Sequence, residues 1–143
     1  MGARINFVFK DREDKPAVVL YSHWGQDEWQ RDLAMALDHA RPRWSDESYV
    51  TRMIISYLIQ DSILESTGFG IYAINDISAD LGDQTVIVDI IQEVVIDGNV
   101  KADWDLFVQA YKPVAALVGE LGHSRTYGGG RTVVGCPPPP FLV

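Results

Sequence analysis

The sequence predicts an α+β fold: a two-layer sandwich whose mostly antiparallel sheet carries a helix pair on one face, followed by an extended Gly/Pro-rich C-terminal tail. Three observations lead there. Residues 4–10, RINFVFK, alternate apolar and polar positions as a half-buried strand does. Residues 29–40 and 50–58 carry apolar side chains at helical spacing. Strand-like segments flank this helix pair on both sides, giving the order β-β-α-α-β-β-α and a sheet covered on one face. The expected organisation is one domain over residues 1–123 and an arm over residues 124–143.

In the first strand Ile5, Phe7 and Phe9 share one face, and Asn6, Val8 and Lys10 the other. The polar run Asp11-Arg12-Glu13-Asp14-Lys15-Pro16 is a turn. Residues 17–21, AVVLY, are apolar on both faces, as an interior strand is, and pair with the first strand as a hairpin. Gly25 breaks this strand. Asp27 with Gln30 three residues later resembles a capping box, opening a helix to about Ala40 with Trp29, Leu33, Ala36, Leu37 and Ala40 as its apolar stripe. Pro42, between Arg41 and Arg43, ends it. A second helix starts near Asp46 or Ser48, presents Val50, Met53, Ile54, Tyr57 and Leu58, and runs to about Glu65 before Thr67-Gly68.

Residues 68–74, GFGIYAI, read as a third strand, followed by an acidic loop from Asn75 to Gln84. Residues 85–91 form a fourth strand, continued by residues 93–96 past a bulge at Gln92, up to the turn signal Asp97-Gly98. Residues 102–111 make a short helix with Asp103 as N-cap and Trp104, Phe107, Val108 and Tyr111 on its apolar side. After Pro113 a helix resumes over residues 114–121. The tail contains Gly128-Gly129-Gly130 and four prolines from Pro137 to Pro140, which favour polyproline II. Its apolar Val133, Val134, Phe141, Leu142 and Val143 point to docking on the same chain or on a neighbouring subunit, hence to a homo-oligomer.

The chain has 143 residues, 47% hydrophobic and 22% charged, an ordinary globular balance. Its net charge of −8 disfavours duplex nucleic acid and anionic membranes, which need a basic face. One cysteine, Cys136, permits no intrachain disulfide, which fits a reducing cytoplasm. No window reaches the length of a membrane span. These features predict a cytoplasmic protein.

Two clusters carry candidate chemistry. Ser22, His23 and Trp24 end the second strand. Alternation places Ser22 and His23 on opposite faces, a poor arrangement for a serine nucleophile and its base, and the glycine pattern of a nucleophile elbow is missing. The cluster is either a packing corner, with Trp24 under the helix and His23 satisfying backbone groups, or a binding corner beside a helix start. Asp27 and Glu28 in that first turn repel phosphate, so a neutral or sugar group suits the corner better. The second cluster is Arg43, Trp44, Tyr49 and Arg52. Arginines among aromatics clamp phosphorylated, base-containing ligands; the alternative is that Arg41 and Arg43 complement a helix dipole and Arg52 pairs with Asp46, Glu47 or Ser48.

The histidines at 23, 39 and 123 lack metal-ligand spacing. Asp76, Asp80 and Asp83 do not follow the EF-hand order, and an ordinary solvated loop is favoured over a weak Ca²⁺ or Mg²⁺ site. Arg131-Thr132 after three glycines lacks the Lys and the helix of a P-loop. No cofactor is expected.

The segments LYSHWG (20–25), ARPRW (40–44), YVTRMIISYLI (49–59) and STGFGIY (66–72) together resemble a set of small proteins of unknown activity encoded by tailed bacteriophages and prophages, over roughly residues 4–111. The resemblance implies a phage accessory protein acting in the bacterial cytoplasm. By analogy with such proteins, antagonism of host defence by sequestering a nucleotide-derived signal is one expected role. The leading expectation is therefore a non-enzymatic binding protein for a nucleotide-like molecule or a host protein. Arg43 and Arg52 would hold phosphate, Trp24 or Trp44 would stack, and Ser22 and His23 would orient by hydrogen bonds. The alternatives are a protein-interaction or virion-associated module assembling through its arm, and a phosphodiesterase-like enzyme using His23 with Arg52.

Overall fold

The computed structural model describes residues 4–23, 25 and 27–113. The chain divides into one compact unit, Met1–Lys112, and a second, Pro113–Val143. Beyond Pro113 the second unit lies outside the described residues, and with it the expected helix over 114–121, the arm over 124–143 and its role in assembly.

The first unit is an α+β sandwich of two layers. Its strands are β1 (Ile5–Lys10), β2 (Ala17–Ser22), β3 (Phe69–Ile74), β4 (Gln84–Asp89), β5 (Val94–Asp97) and β6 (Val100–Asp103). They form one sheet in the order β3-β2-β1-β4-β5-β6, antiparallel except for the central β1–β4 pair. The helices α1 (Trp29–His39), α2 (Glu47–Ile59) and α3 (Trp104–Tyr111) cover one face. A 3₁₀ turn over Arg41–Arg43, with Pro42 inside it, reverses the chain between α1 and α2.

The core on that face joins Ile5, Phe7 and Phe9 to Leu33, Leu37, Val50, Ile54 and Trp104. Fully burying a side chain of this size stabilises by roughly 1.5–3 kcal/mol. Lys112 Nζ lies 2.7 Å from Asp38 Oδ2 and Arg41 Nη1 lies 3.1 Å from Asp105 Oδ1, tying the ends of α1 and α3 together. Burial raises the Asp38 carboxyl, but the hydrogen bonds and charges of Lys112 and Arg41 outweigh it and hold the group below its ordinary value.

The second face has its own cover. The connection from β3 to β4 must pass from the sheet edge beyond β2 and β1, and its Ile77 and Leu81 pack, as Ile87 does, against the cluster of Val8, Ala17 and Val19. The acidic loop is therefore a packed crossover and not merely solvated. This second apolar layer is why β2 reads as apolar on both faces.

Four local expectations are corrected. Residues 93–96 do not continue β4: they form β5, which turns back on β4 through residues 90–93. Asp89 makes that turn without glycine or proline, its Oδ1 accepting the N–H groups of Ile91 at 3.0 Å and Gln92 at 2.9 Å, while Glu93 takes φ +57°. Residues 100–103 are strand β6, closing a hairpin at Gly98, so the last helix starts at Trp104. The second helix stops at Ile59, where Gln60 Nε2 donates to Tyr57 O at 2.9 Å; Ile63 and Leu64, which a longer helix would turn inward, stay exposed. The N-cap of α1 is Glu28 with no side-chain cap, so Asp27 and Gln30 form no capping box.

Candidate functional site

The corner that ends β2 is a pocket. His23 N donates to Gly68 O at 2.9 Å, drawing the chain after β2 onto the start of β3. Gly68 makes that approach with φ +102°, a conformation that favours glycine. The antiparallel helices complete the enclosure: Asp32 enters from the first turn of α1, Leu58 from the last turn of α2, and Ser62 from the turn after it. Phe7, Phe69, Ser22, Gly25 and Gly68 supply the rest of the lining, around a volume of about 210 Å³. A cavity of about 150 Å³ accepts a benzene-sized molecule, so this space suits one ring of a larger ligand.

Ser22 is the polar centre of the pocket. It is 4% exposed, and its hydroxyl has no hydrogen-bond partner among the described residues. Among the described residues Asn6 Nδ2 is the one fully buried side-chain polar atom without a partner, so the Ser22 hydroxyl opens onto the pocket, where water or a ligand group can bond to it. Among the described residues no base is hydrogen-bonded to it.

His23 takes another environment. Its Nδ1 lies 3.0 Å from Tyr21 Oη, and Tyr21 stands opposite Asn6 in the β1–β2 register, on the face away from the helices. Tyr72 Oη donates to Asn6 Oδ1 at 3.3 Å, while Asn6 Nδ2 is buried without a partner among the described residues. Ser22 and His23 are thus separated by the sheet, as their alternation predicts.

The second predicted cluster stands at the opposite end of the helix pair. Arg43 Nη1 contacts Asp46 Oδ2 at 3.2 Å, and its guanidinium lies 4.6 Å from the Tyr49 ring centre. Trp44 is committed to the fold: Nε1 donates to Leu37 O at 2.8 Å, its ring meets Trp104 edge-on at 5.2 Å, and Arg41 lies 4.4 Å from its ring centre. Arg52 is exposed, and its charge acts on His39, which lies 5.3 Å from the Tyr57 ring. Burial first, then the Arg52 charge, hold the His39 imidazole below its ordinary value against the pull of Asp38.

Neither Arg43 nor Arg52 is among the described residues that line the Ser22 pocket: Arg43 lies before α2, and Arg52 lies midway along it. Arg43 and Tyr49 flank the start of the 13-residue α2, and the pocket takes Leu58 from its end. At about 1.5 Å per residue the two ends are roughly 20 Å apart. Trp24 lies outside the described residues. The residues that sequence reasoning missed are Phe7, Asp32, Leu58, Ser62 and Phe69. Their signal was the short Arg41–Arg43 reversal, which makes the helices antiparallel and brings the end of α2 back to the start of α1.

The acidic crossover uses its carboxylates locally. Asp76 Oδ1 accepts from Ser78 N at 2.9 Å and Ser78 Oγ at 2.7 Å, and Asp80 Oδ1 accepts from Gly82 N at 2.9 Å. Among the described residues no group of three or more His, Cys, Asp or Glu side chains is placed to hold a metal ion, and no helix is long and apolar enough to cross a membrane. Comparison with family models, with curated proteins and with solved structures gives no match to this chain.

Proposed function

We propose that this chain is a non-enzymatic binding protein that encloses one ring of a small, nucleoside-like molecule in the Ser22 pocket. The observation that carries the reading is the Ser22 hydroxyl, on a residue only 4% exposed, opening into a space of about 210 Å³ beside Phe7 and Phe69. A hydroxyl orients a polar ring edge, and aromatic walls take its faces. In this reading Ser22 keeps its orienting role, while Arg43, before the start of α2, and Arg52, midway along it, lie outside the described pocket lining and hold no phosphate of the same ligand. The resemblance to phage-encoded proteins extends the proposal: an accessory protein in the host cytoplasm that withholds a nucleotide-derived signal from a host defence. Calorimetry with adenosine, cytidine and ADP-ribose tests it. Binding in the natural chain and its loss in Ser62→Trp, which fills the pocket from an exposed turn, supports the reading; no heat with any of the three removes it.

A second reading is an interaction or assembly module. It is favoured by exposed apolar side chains on the edge strands and the turn beside β3: Ile71 is 57%, Val100 69% and Leu64 94% exposed. Sedimentation of the chain, of Leu64→Asp and of a form ending at residue 123 tests it. A monomer in all three cases leaves homo-oligomerisation without support.

A further inference from the structure

We infer that the Ser22 pocket selects a ligand group that carries positive charge, and that Asp32 is the residue that sets this preference. The inference rests on the pocket being a ligand site and adds the charge class of what enters it. Of the described lining residues, Asp32 alone is ionisable: Phe7, Ser22, Gly25, Leu58, Ser62, Gly68 and Phe69 bring no charge. Its carboxylate is not neutralised by a dedicated partner. Arg31 Nη2 lies 3.3 Å from Asp32 Oδ1 and is at the same time paired with Glu28, so one guanidinium serves two carboxylates. The Asp32 side chain keeps 44% of its surface open.

The other lining groups favour the same class. Aromatic rings attract cations at their faces, and Phe7 and Phe69 both border the space. The Ser22 hydroxyl, which opens into the space, accepts from an N–H as readily as it donates. Asp32 lies in the first turn of α1, where the helix dipole favours a carboxylate. The contact with Arg31 is made by Oδ1. A phosphate in the same place meets the Asp32 carboxylate, with no cation among the described lining residues and the nearby Arg31 already shared between Asp32 and Glu28.

The test uses the full chain and three compounds that share one nucleoside and differ in charge at the 5′ position: 5′-amino-5′-deoxyadenosine, adenosine and AMP. Calorimetry at low salt reads their affinities. The expected order is amine, then adenosine, then AMP, with the amine about five- to tenfold tighter than adenosine, the scale of a partly exposed charge pair with added cation–π attraction. In Asp32→Asn the amine's advantage falls below twofold. In Arg31→Gln, which frees Asp32 from its shared partner, it grows. Equal affinities in the natural chain, AMP as the tightest ligand, or an advantage that survives Asp32→Asn overturns the charge assignment while leaving the pocket as a ligand site. Binding of none of the three removes the ligand-site reading, and the inference with it.

Discussion

The Oγ of Ser22 lies 2.5 Å from the point that a β-carbon on Gly25 would occupy, and Ser22 Cβ and Ile5 Cγ2 lie 3.1 and 3.3 Å from it. A side chain on the glycine of the LYSHWG stretch would thus displace the hydroxyl of the serine three residues before it and crowd Ile5. Gly25→Ala is expected to cost about 1–3 kcal/mol by overpacking, read by urea unfolding. Adding Ser22→Ala removes the nearest atom and returns part of that loss, a coupling of about 0.5 kcal/mol or more. Strictly additive costs contradict this packing.

Trp44 holds the start of α2 to α1 and α3 through its bond to Leu37 O and its edge contact with Trp104. Trp44→Phe loses the donor and strands a carbonyl, at an expected cost of about 1–3 kcal/mol. Adenosine affinity stays unchanged, because the ring lies at the other end of the helices from the pocket. A ligand-binding defect without a stability defect would return Trp44 to the stacking role its sequence neighbourhood first gave it.

Asn6, the second residue of β1, is 1% exposed, and its Nδ2 has no partner among the described residues. Its partner Tyr72 is partly exposed, so that hydroxyl can turn to water. Replacing a buried amide that is only half satisfied by an apolar residue removes its desolvation penalty, and a β-branched residue suits the strand. Asn6→Val should raise stability by about 1 kcal/mol in chemical denaturation; a loss of that size shows that the amide has a partner within the fold.

His39 gives a pH signature. Its imidazole is held below its ordinary value of 6.5 by burial and by Arg52, against Asp38. The unfolded chain then binds the proton better, so stability falls as pH drops from 6.5 toward the depressed folded value and this contribution levels off below it. Arg52→Gln should raise the His39 titration midpoint in a proton NMR titration and shallow the loss of stability. An unmoved midpoint places the Arg52 charge elsewhere.

The fold was legible because it rests on period. The stripes Trp29, Leu33, Ala36, Leu37 and Val50, Ile54 are the buried faces of α1 and α2, and the both-sided β2 is interior to the sheet. What escaped depended on single side chains or on distant packing. The β4–β5 turn is made by the Asp89 carboxylate, in a segment with no glycine or proline. The burial of Ile77 and Leu81 follows from where β4 enters the sheet, which alternation does not encode. At the site, Ser22 and Gly25 were legible as a corner. Asp32, Leu58 and Ser62 join them only through the antiparallel return of α2, and the arginine-aromatic cluster, conspicuous in sequence, is occupied by Asp46, Leu37 and Trp104.

The central claim is that the space at Ser22, and not the arginine end of the helices, receives the ligand. Amide NMR of the full chain titrated with 5′-amino-5′-deoxyadenosine tests it most directly. Shifts concentrated at Ser22, Gly25, Asp32, Gly68 and Phe69 are the predicted result; shifts centred on Arg43, Tyr49 and Arg52, with Ser22 and Gly68 unmoved, contradict it.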